Sequence, residues 1–128
     1  KNISKRIVAN RKPRILVVDD SSSVRSFVGS VLEKRGFVAI RASDGEQADE
    51  ILQKEIIDLI ITDLEMPTMD GFSLIKKIRS QKKFDEMPIV ILTGRSGKQQ
   101  QEKGEALGAN SFIGKPFKES DLLRVVLD

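Results

Sequence analysis

Four short apolar runs each end in a side chain able to do chemistry. Ile15–Val18 is followed by Asp19-Asp20, and Leu59–Ile61 by Thr62 and then Asp63. Ile89–Leu92 ends in Thr93-Gly94, and Phe112–Ile113 leads through Gly114 to Lys115-Pro116. A fifth run, Phe37–Ile40, ends at Arg41-Ala42 and offers nothing comparable. The chain has no cysteine and no histidine. Disulfides, thiolate or imidazole metal ligation, Ser-His-Asp catalysis and a histidine phosphodonor within the chain are therefore excluded. Carboxylates, hydroxyls and lysines remain as nucleophiles.

Carboxylates gathered at one edge of a sheet carry a cost that constrains their purpose. Two of them ~5 Å apart repel by roughly 3 kcal/mol at an effective dielectric of ~20, and three such pairs approach ~10 kcal/mol, comparable with a whole domain's stability. Lys115 offsets part of this. The donors are hard oxygens, which points to Mg²⁺ (or Mn²⁺) rather than zinc. Magnesium keeps several waters and takes phosphate oxygens readily, so the set suits a phosphoryl group. Thr93 would donate a hydrogen bond to it and Lys115 would pair with its charge. Each element has a bland reading: a helix-start acid for Asp19-Asp20, turn chemistry for Asp63, a strand residue for Thr93 and a surface charge for Lys115. Their joint placement at successive strand ends makes the pattern specific.

The elements between these residues must bring them together. The apolar runs are rich in Ile, Val and Leu and do not alternate with polar residues, as in strands covered on both faces. Between them, Val24, Phe27, Val28, Val31 and Leu32 recur at helical spacing up to Gly36. A second helix opens with Ser43-x-x-Glu46, a capping-box pattern, and is expected to bury Ala48, Ile51 and Leu52. The third presents Leu74, Ile75 and Ile78, and the last Leu122, Val125 and Val126. The stretch 97–107 is poor. Its apolar members are Ala106 and Leu107, and Gly104 in its middle costs about 1 kcal/mol relative to alanine, so a weakly held helix is expected. Five strand–helix units imply an α/β fold with a parallel sheet, right-handed crossovers and helices on both faces. Outside the carboxyl ends of such strands is where ligands bind.

Length and charge bound the rest. The 128 residues, 39% hydrophobic and 32% charged, suffice for one domain. Residues 1–14 carry six Lys or Arg and no acid. Sixteen basic and nineteen acidic residues remain for 15–128, a net charge of −3. Without aromatic residues, the basic arm reads as a solvated linker rather than a nucleic-acid or lipid surface. The expected division is a linker over 1–13 and a domain over 14–128. Because the sequence starts at Lys1, the arm is expected to tether the domain to something upstream. No run approaches a bilayer-spanning length and no signal peptide is visible. The expectation is a cytoplasmic domain with no membrane and no nucleic-acid contact of its own.

With ILVVDD, TDLEMPTMDG, ILTG and FIGKPF at these spacings, the chain resembles the receiver domain of two-component response regulators, the CheY-like family, over residues 14–128. The resemblance implies a flavodoxin-like (βα)5 sandwich whose five-stranded parallel sheet has the order 2-1-3-4-5. It implies that Asp63 is the phosphoacceptor, that Asp20 binds Mg²⁺ directly, and that Asp19 acts through metal-bound water. The backbone carbonyl of Glu65 would complete the protein ligands. Thr93 would be the switch hydroxyl, Phe112 the switch aromatic, and Lys115 the ion-pair partner of the phosphoryl group, followed by a cis bond to Pro116. A histidine kinase or histidine phosphotransfer domain would donate the phosphoryl group. The domain would catalyse its own phosphorylation and dephosphorylation at Asp63. The surface of the fourth helix, fifth strand and fifth helix would then change toward a downstream effector or fused kinase domains. The segment GANSFIGKPFKESDLL is similar to receivers fused behind chemotaxis-type kinases, which implies the C-terminal receiver of a hybrid kinase, with a stand-alone or linker-trimmed regulator as the alternative.

Three positions bear on tuning. Gly94 stands where the family usually has alanine, which implies wider access to the site. Phe112 lacks a tyrosine hydroxyl and needs no hydrogen-bond partner when buried. Glu65 and Arg95 are expected to pair across the mouth and hinder attacking water. Two other functions compete. An aspartate-nucleophile phosphatase of the haloacid-dehalogenase type also uses Mg²⁺, carboxylates and lysine, but its Asp-x-Asp differs from Asp19-Asp20 and no cap domain is available. A degenerate receiver serving only as a binding module is opposed by the intact set Asp20, Asp63, Thr93 and Lys115.

Overall fold

Local side-chain chemistry decides where the helices begin and end. The computed structural model describes residues 12–66, 69–94 and 98–127. The first helix, α1 (Ser22–Lys34), follows β1 (Arg14–Val18) and starts at Ser21, whose hydroxyl accepts from the Val24 N–H. It stops at Gly36, which takes φ +88°. Gly36 N–H donates to the Glu33 carbonyl at 3.1 Å and Phe37 N–H to that of Leu32 at 3.1 Å, a paired closure that needs a left-handed residue between. After β2 (Val38–Ala42), helix α2 (Gly45–Lys54) is capped by Asp44, which accepts from Gln47 N–H at 2.8 Å. The expected box therefore sits one residue later, on Asp44 and Gln47, and the Gln47 Oε1 accepts from Ser43 N–H at 2.6 Å. The path of the chain after β2 puts Asp44 rather than Ser43 at the helix entry, where its carboxylate also suits the positive end of the helix.

Strand β3 (Leu59–Thr62) leads to α3 (Gly71–Arg79), capped by Asp70 through the Ser73 N–H at 2.8 Å. A short 3₁₀ turn, Lys82–Phe84, precedes β4 (Ile89–Thr93), α4 (Lys98–Leu107), β5 (Ser111–Gly114) and α5 (Glu119–Leu127). The strands form one parallel sheet of order β2-β1-β3-β4-β5, as the family resemblance implied. Alternate residues of each strand feed two cores. Ile15, Val17, Ile61, Val90 and Leu92 pack with Val28 and Leu32 of α1 and Leu122 and Val126 of α5. Leu16, Val18, Ile60, Ile89 and Ile91 pack with Ala48 and Leu52 of α2 and Leu74, Ile75 and Ile78 of α3. Burial on both faces explains why these strands show no polar alternation.

One expectation about a helix face changes and another holds. Phe27 is 43% exposed, because it lies at the edge of the α1 stripe and turns toward Phe117 rather than the sheet. In α4 the sole buried residue is Gly104. The weak apolar pattern of 97–107 is thus real, since Leu107, partly buried, is the one large apolar side chain that α4 packs against the core. The polar attachments of α4 are Arg79, whose guanidinium donates to the Gly108 carbonyl at 2.8 and 3.1 Å, and Lys103, 4.4 Å above the Phe72 ring. No helix among the described residues is long and apolar enough to cross a membrane.

Candidate functional site

Strand register determines which acids meet. Val18 of β1 lies opposite Thr62 of β3, so Asp19 and Asp63, each one residue further on, emerge side by side at the carboxyl edge. This is the point where the chain order reverses, since β1 is flanked by β2 on one side and β3 on the other. The main chain fixes both residues. Asp19 N–H donates to the Ala42 carbonyl at 3.1 Å, and Asp63 N–H to that of Val18 at 2.8 Å. On the far side Thr93 pairs with Gly114, and Lys115 N–H donates to the Thr93 carbonyl at 2.7 Å. The bond from Lys115 to Pro116 is cis.

One carboxylate oxygen from each of Asp19, Asp20 and Asp63 falls within a span of 4.8 Å. Asp19 is fully buried, Asp63 is 6% exposed, and Asp20 faces solvent. Lys115 Nζ lies 3.0 Å from Asp19 Oδ2 and 3.6 Å from Asp63 Oδ1, so at rest it belongs mainly to Asp19. Asp19 Oδ1 accepts from the Ser21 N–H at 2.9 Å, and Asp63 Oδ1 from the Leu64 N–H at 2.8 Å. Burial pushes the Asp63 carboxyl above its ordinary range, and repulsion from Asp19 adds to the rise. Lys115 and the N–H groups of Leu64 and Glu65 pull the other way without cancelling it. The buried Asp58 is unrelated, since it accepts from the Arg14 N–H at 2.7 Å and braces the opposite end of the sheet.

The structure thus brings Asp19, Asp20, Asp63 and Lys115 together, with Thr93 buried at the neighbouring strand end. Glu65 is exposed two residues beyond Asp63, and Phe112 is half-buried on β5. The expected Glu65–Arg95 pair and most of the basic arm involve residues outside those described. Two supporting residues escaped the sequence reading. Arg25 donates to the main-chain carbonyl of Asp19 at 2.7 Å, six residues on. Gly71 packs so tightly under the site that a Cβ there would meet the Asp63 carbonyl oxygen and lie 2.8 Å from Leu64 Cα. An Arg on the first turn of a helix after paired acids is a readable signal for the former. The latter needs the loop's path.

Oxygen-only donors, crowded and incompletely neutralised, fit a small hard divalent cation. The family model for the response regulator receiver domain matches residues 15–127. A chemotaxis protein CheY homolog of Campylobacter jejuni is 39% identical over 106 residues, 81% of this chain and 82% of that protein. The CAI-1 autoinducer sensor kinase/phosphatase CqsS of Vibrio cholerae is 35% identical over 114 residues, which are 88% of this chain and 17% of that protein. The structure of Vibrio cholerae chemotaxis protein CheY4 superposes with a TM-score of 0.86 at 36% identity, covering 90% of this chain and 96% of that one.

Proposed function

Since the chain belongs to the response regulator receiver domain family of two-component signalling, we propose that Asp63 is its phosphoacceptor and that Asp19, Asp20 and Asp63, with the Glu65 carbonyl, hold Mg²⁺. The observation that carries this reading is the acid cluster within 4.8 Å beside a single lysine, at the edge where the sheet order reverses. When bound, the ion would neutralise charge on the phosphoryl oxygens during transfer.

The chain's own residues supply the remaining steps. An Asp63 carboxylate oxygen attacks the phosphorus of a phosphohistidine on a partner domain. The O–P bond forms as the N–P bond breaks, and the imidazole nitrogen keeps the electron pair and takes a proton from solvent. The desolvation and repulsion that raise the basicity of Asp63 also raise its nucleophilicity. Lys115, shared between Asp19 and Asp63 at rest, shifts its charge toward the new phosphoryl oxygens. Thr93 donates its hydroxyl to the same group, and Phe112 follows, altering the face formed by α4, β5 and α5.

The partner is a histidine kinase or phosphotransfer domain, with a downstream effector or fused kinase domains reading the output, and the setting is the cytoplasm. Beside Lys115, the rings of Phe27 and Phe117 meet edge to face at 5.6 Å and, with Val24 and Pro116, line an apolar shelf. Such a patch against the phosphoryl site suits docking of the phosphodonor. The position of the paired acids favours this reading over a phosphatase, and the acid–lysine–threonine set favours it over a bare binding module. Incubation with phosphoramidate, with and without Mg²⁺, tests it by intact mass. One phosphoryl group should add only with Mg²⁺, and none in Asp63→Asn; uptake by the Asn variant would reject the assignment.

A further inference from the structure

Glycine inside a helix weakens it unless something needs the space, and Gly104 is the one buried residue of α4. It makes no turn, since it lies mid-helix between Lys98 and Leu107. Its surroundings give the reason. A Cβ at 104 would lie 2.5 Å from Phe112 Cζ, 3.1 Å from Phe112 Cε1 and 2.6 Å from Ile91 Cδ1. Ile91 and Phe112 are register partners on β4 and β5, so the ring lies across the end of this pair and against the bare helix backbone.

We propose that Gly104 is the seat of the Phe112 ring, and that occupancy of this seat couples the aromatic of β5 to α4. The proposal rests on the reading of Phe112 as the switch aromatic and assigns Gly104 as a positioning residue acting through it. Three observations carry it. The atoms that crowd position 104 are side-chain ends, not backbone, so an added methyl moves the ring rather than breaking the fold. On its other side Phe112 borders an open groove of about 270 Å³, lined by Ile113, Gly114, Asp121, Arg124 and Val125, which gives a displaced ring room. And α4 has attachments that do not involve the ring, Arg79 to the Gly108 carbonyl and Lys103 over Phe72, so the helix stays docked when the ring leaves.

A double-mutant cycle with Gly104→Ala and Phe112→Ala tests this, with the Ile91 δ1 methyl resonance as reporter. In the wild type the ring current is expected to displace that resonance, and Phe112→Ala should remove the displacement. Gly104→Ala should remove most of it while the protein stays folded, and should not give the roughly fivefold gain in folding equilibrium that alanine brings to an ordinary helix position. In the Phe112→Ala background the same substitution should recover part of that gain, the remainder being withheld by Ile91 Cδ1, which still lies 2.6 Å from the added Cβ. An unchanged Ile91 signal in Gly104→Ala, or an equal penalty with and without Phe112, would overturn the seat. Wild-type protein with Mg²⁺ and beryllofluoride, a phosphoryl mimic, separates the two readings. A wild-type signal that ignores the mimic rejects Phe112 as the switch, whereas the seat is judged by the variants alone.

Discussion

Replacing Asp63 by Asn removes one charge from the acid cluster yet keeps an oxygen that can accept from the Leu64 N–H, so it isolates the electrostatic cost. At the 4.8 Å limit enclosing the three acids, each acid–acid pair costs Asp63 about 3.5 kcal/mol at a dielectric of ~20, while Lys115 at 3.6 Å returns about 4.6 kcal/mol. Solvent weakens the share of exposed Asp20, and desolvation of Asp63 acts in the opposite sense. A stabilisation of about 1–2 kcal/mol in Asp63→Asn is therefore expected at neutral pH without divalent ions. The folded protein holds the Asp63 proton above the ordinary value of 3.8, so the wild type is fully stable with respect to this group below 3.8. That stability is lost as pH rises through the folded-state value. The gap between variant and wild type should thus open with rising pH and close on acidification. Mg²⁺ at a hundredfold excess over its dissociation constant should stabilise the wild type by about 2.7 kcal/mol and shrink or invert the gap. Urea unfolding followed by far-ultraviolet circular dichroism suits a chain without Trp or Tyr. An Asn variant no more stable than wild type in EDTA at pH 7, or a gap that widens on acidification, would refute the reasoning.

Gly71→Ala sets a methyl against the backbone under Asp63, where nothing flexible can yield, and should cost about 1–3 kcal/mol in the same unfolding assay. Arg25→Ala deletes the hydrogen bond to the Asp19 carbonyl; if main-chain placement governs the site, Mg²⁺ affinity by calorimetry should fall about tenfold although a positive charge is lost. A rise in affinity would mean that Arg25 acts only through its charge. Phe27→Ala should slow transfer from a phosphohistidine donor by tenfold or more and leave the phosphoramidate rate unchanged, and equal effects on both rates would remove the shelf from docking.

Much of the site could be read from the chain because strand ends are legible. Runs such as Ile15–Val18 and Ile89–Leu92 are apolar throughout, and parallel pairing puts whatever follows them on one edge. What stayed hidden depends on contacts distant in sequence. Asp44 and Ser43 are both good caps, and only the path of the chain after β2 selects between them. Phe27 fits the α1 stripe by spacing but meets Phe117, some ninety positions along, at the surface. Gly104 reads as a defect in isolation, and its purpose appears only when β5 brings Phe112 against it. Lys115 was readable as a counter-charge, but its closer pairing with Asp19 than with Asp63 required coordinates.

The central claim is that charge crowding at this edge readies one particular acid, Asp63, for covalent capture. Borohydride reduction after phosphoramidate treatment converts an aspartyl phosphate to homoserine, which peptide mass spectrometry locates directly. The expected result is homoserine at position 63 alone, formed only with Mg²⁺ present. Homoserine at Asp19, Asp20 or elsewhere, or equal conversion in EDTA, would contradict it.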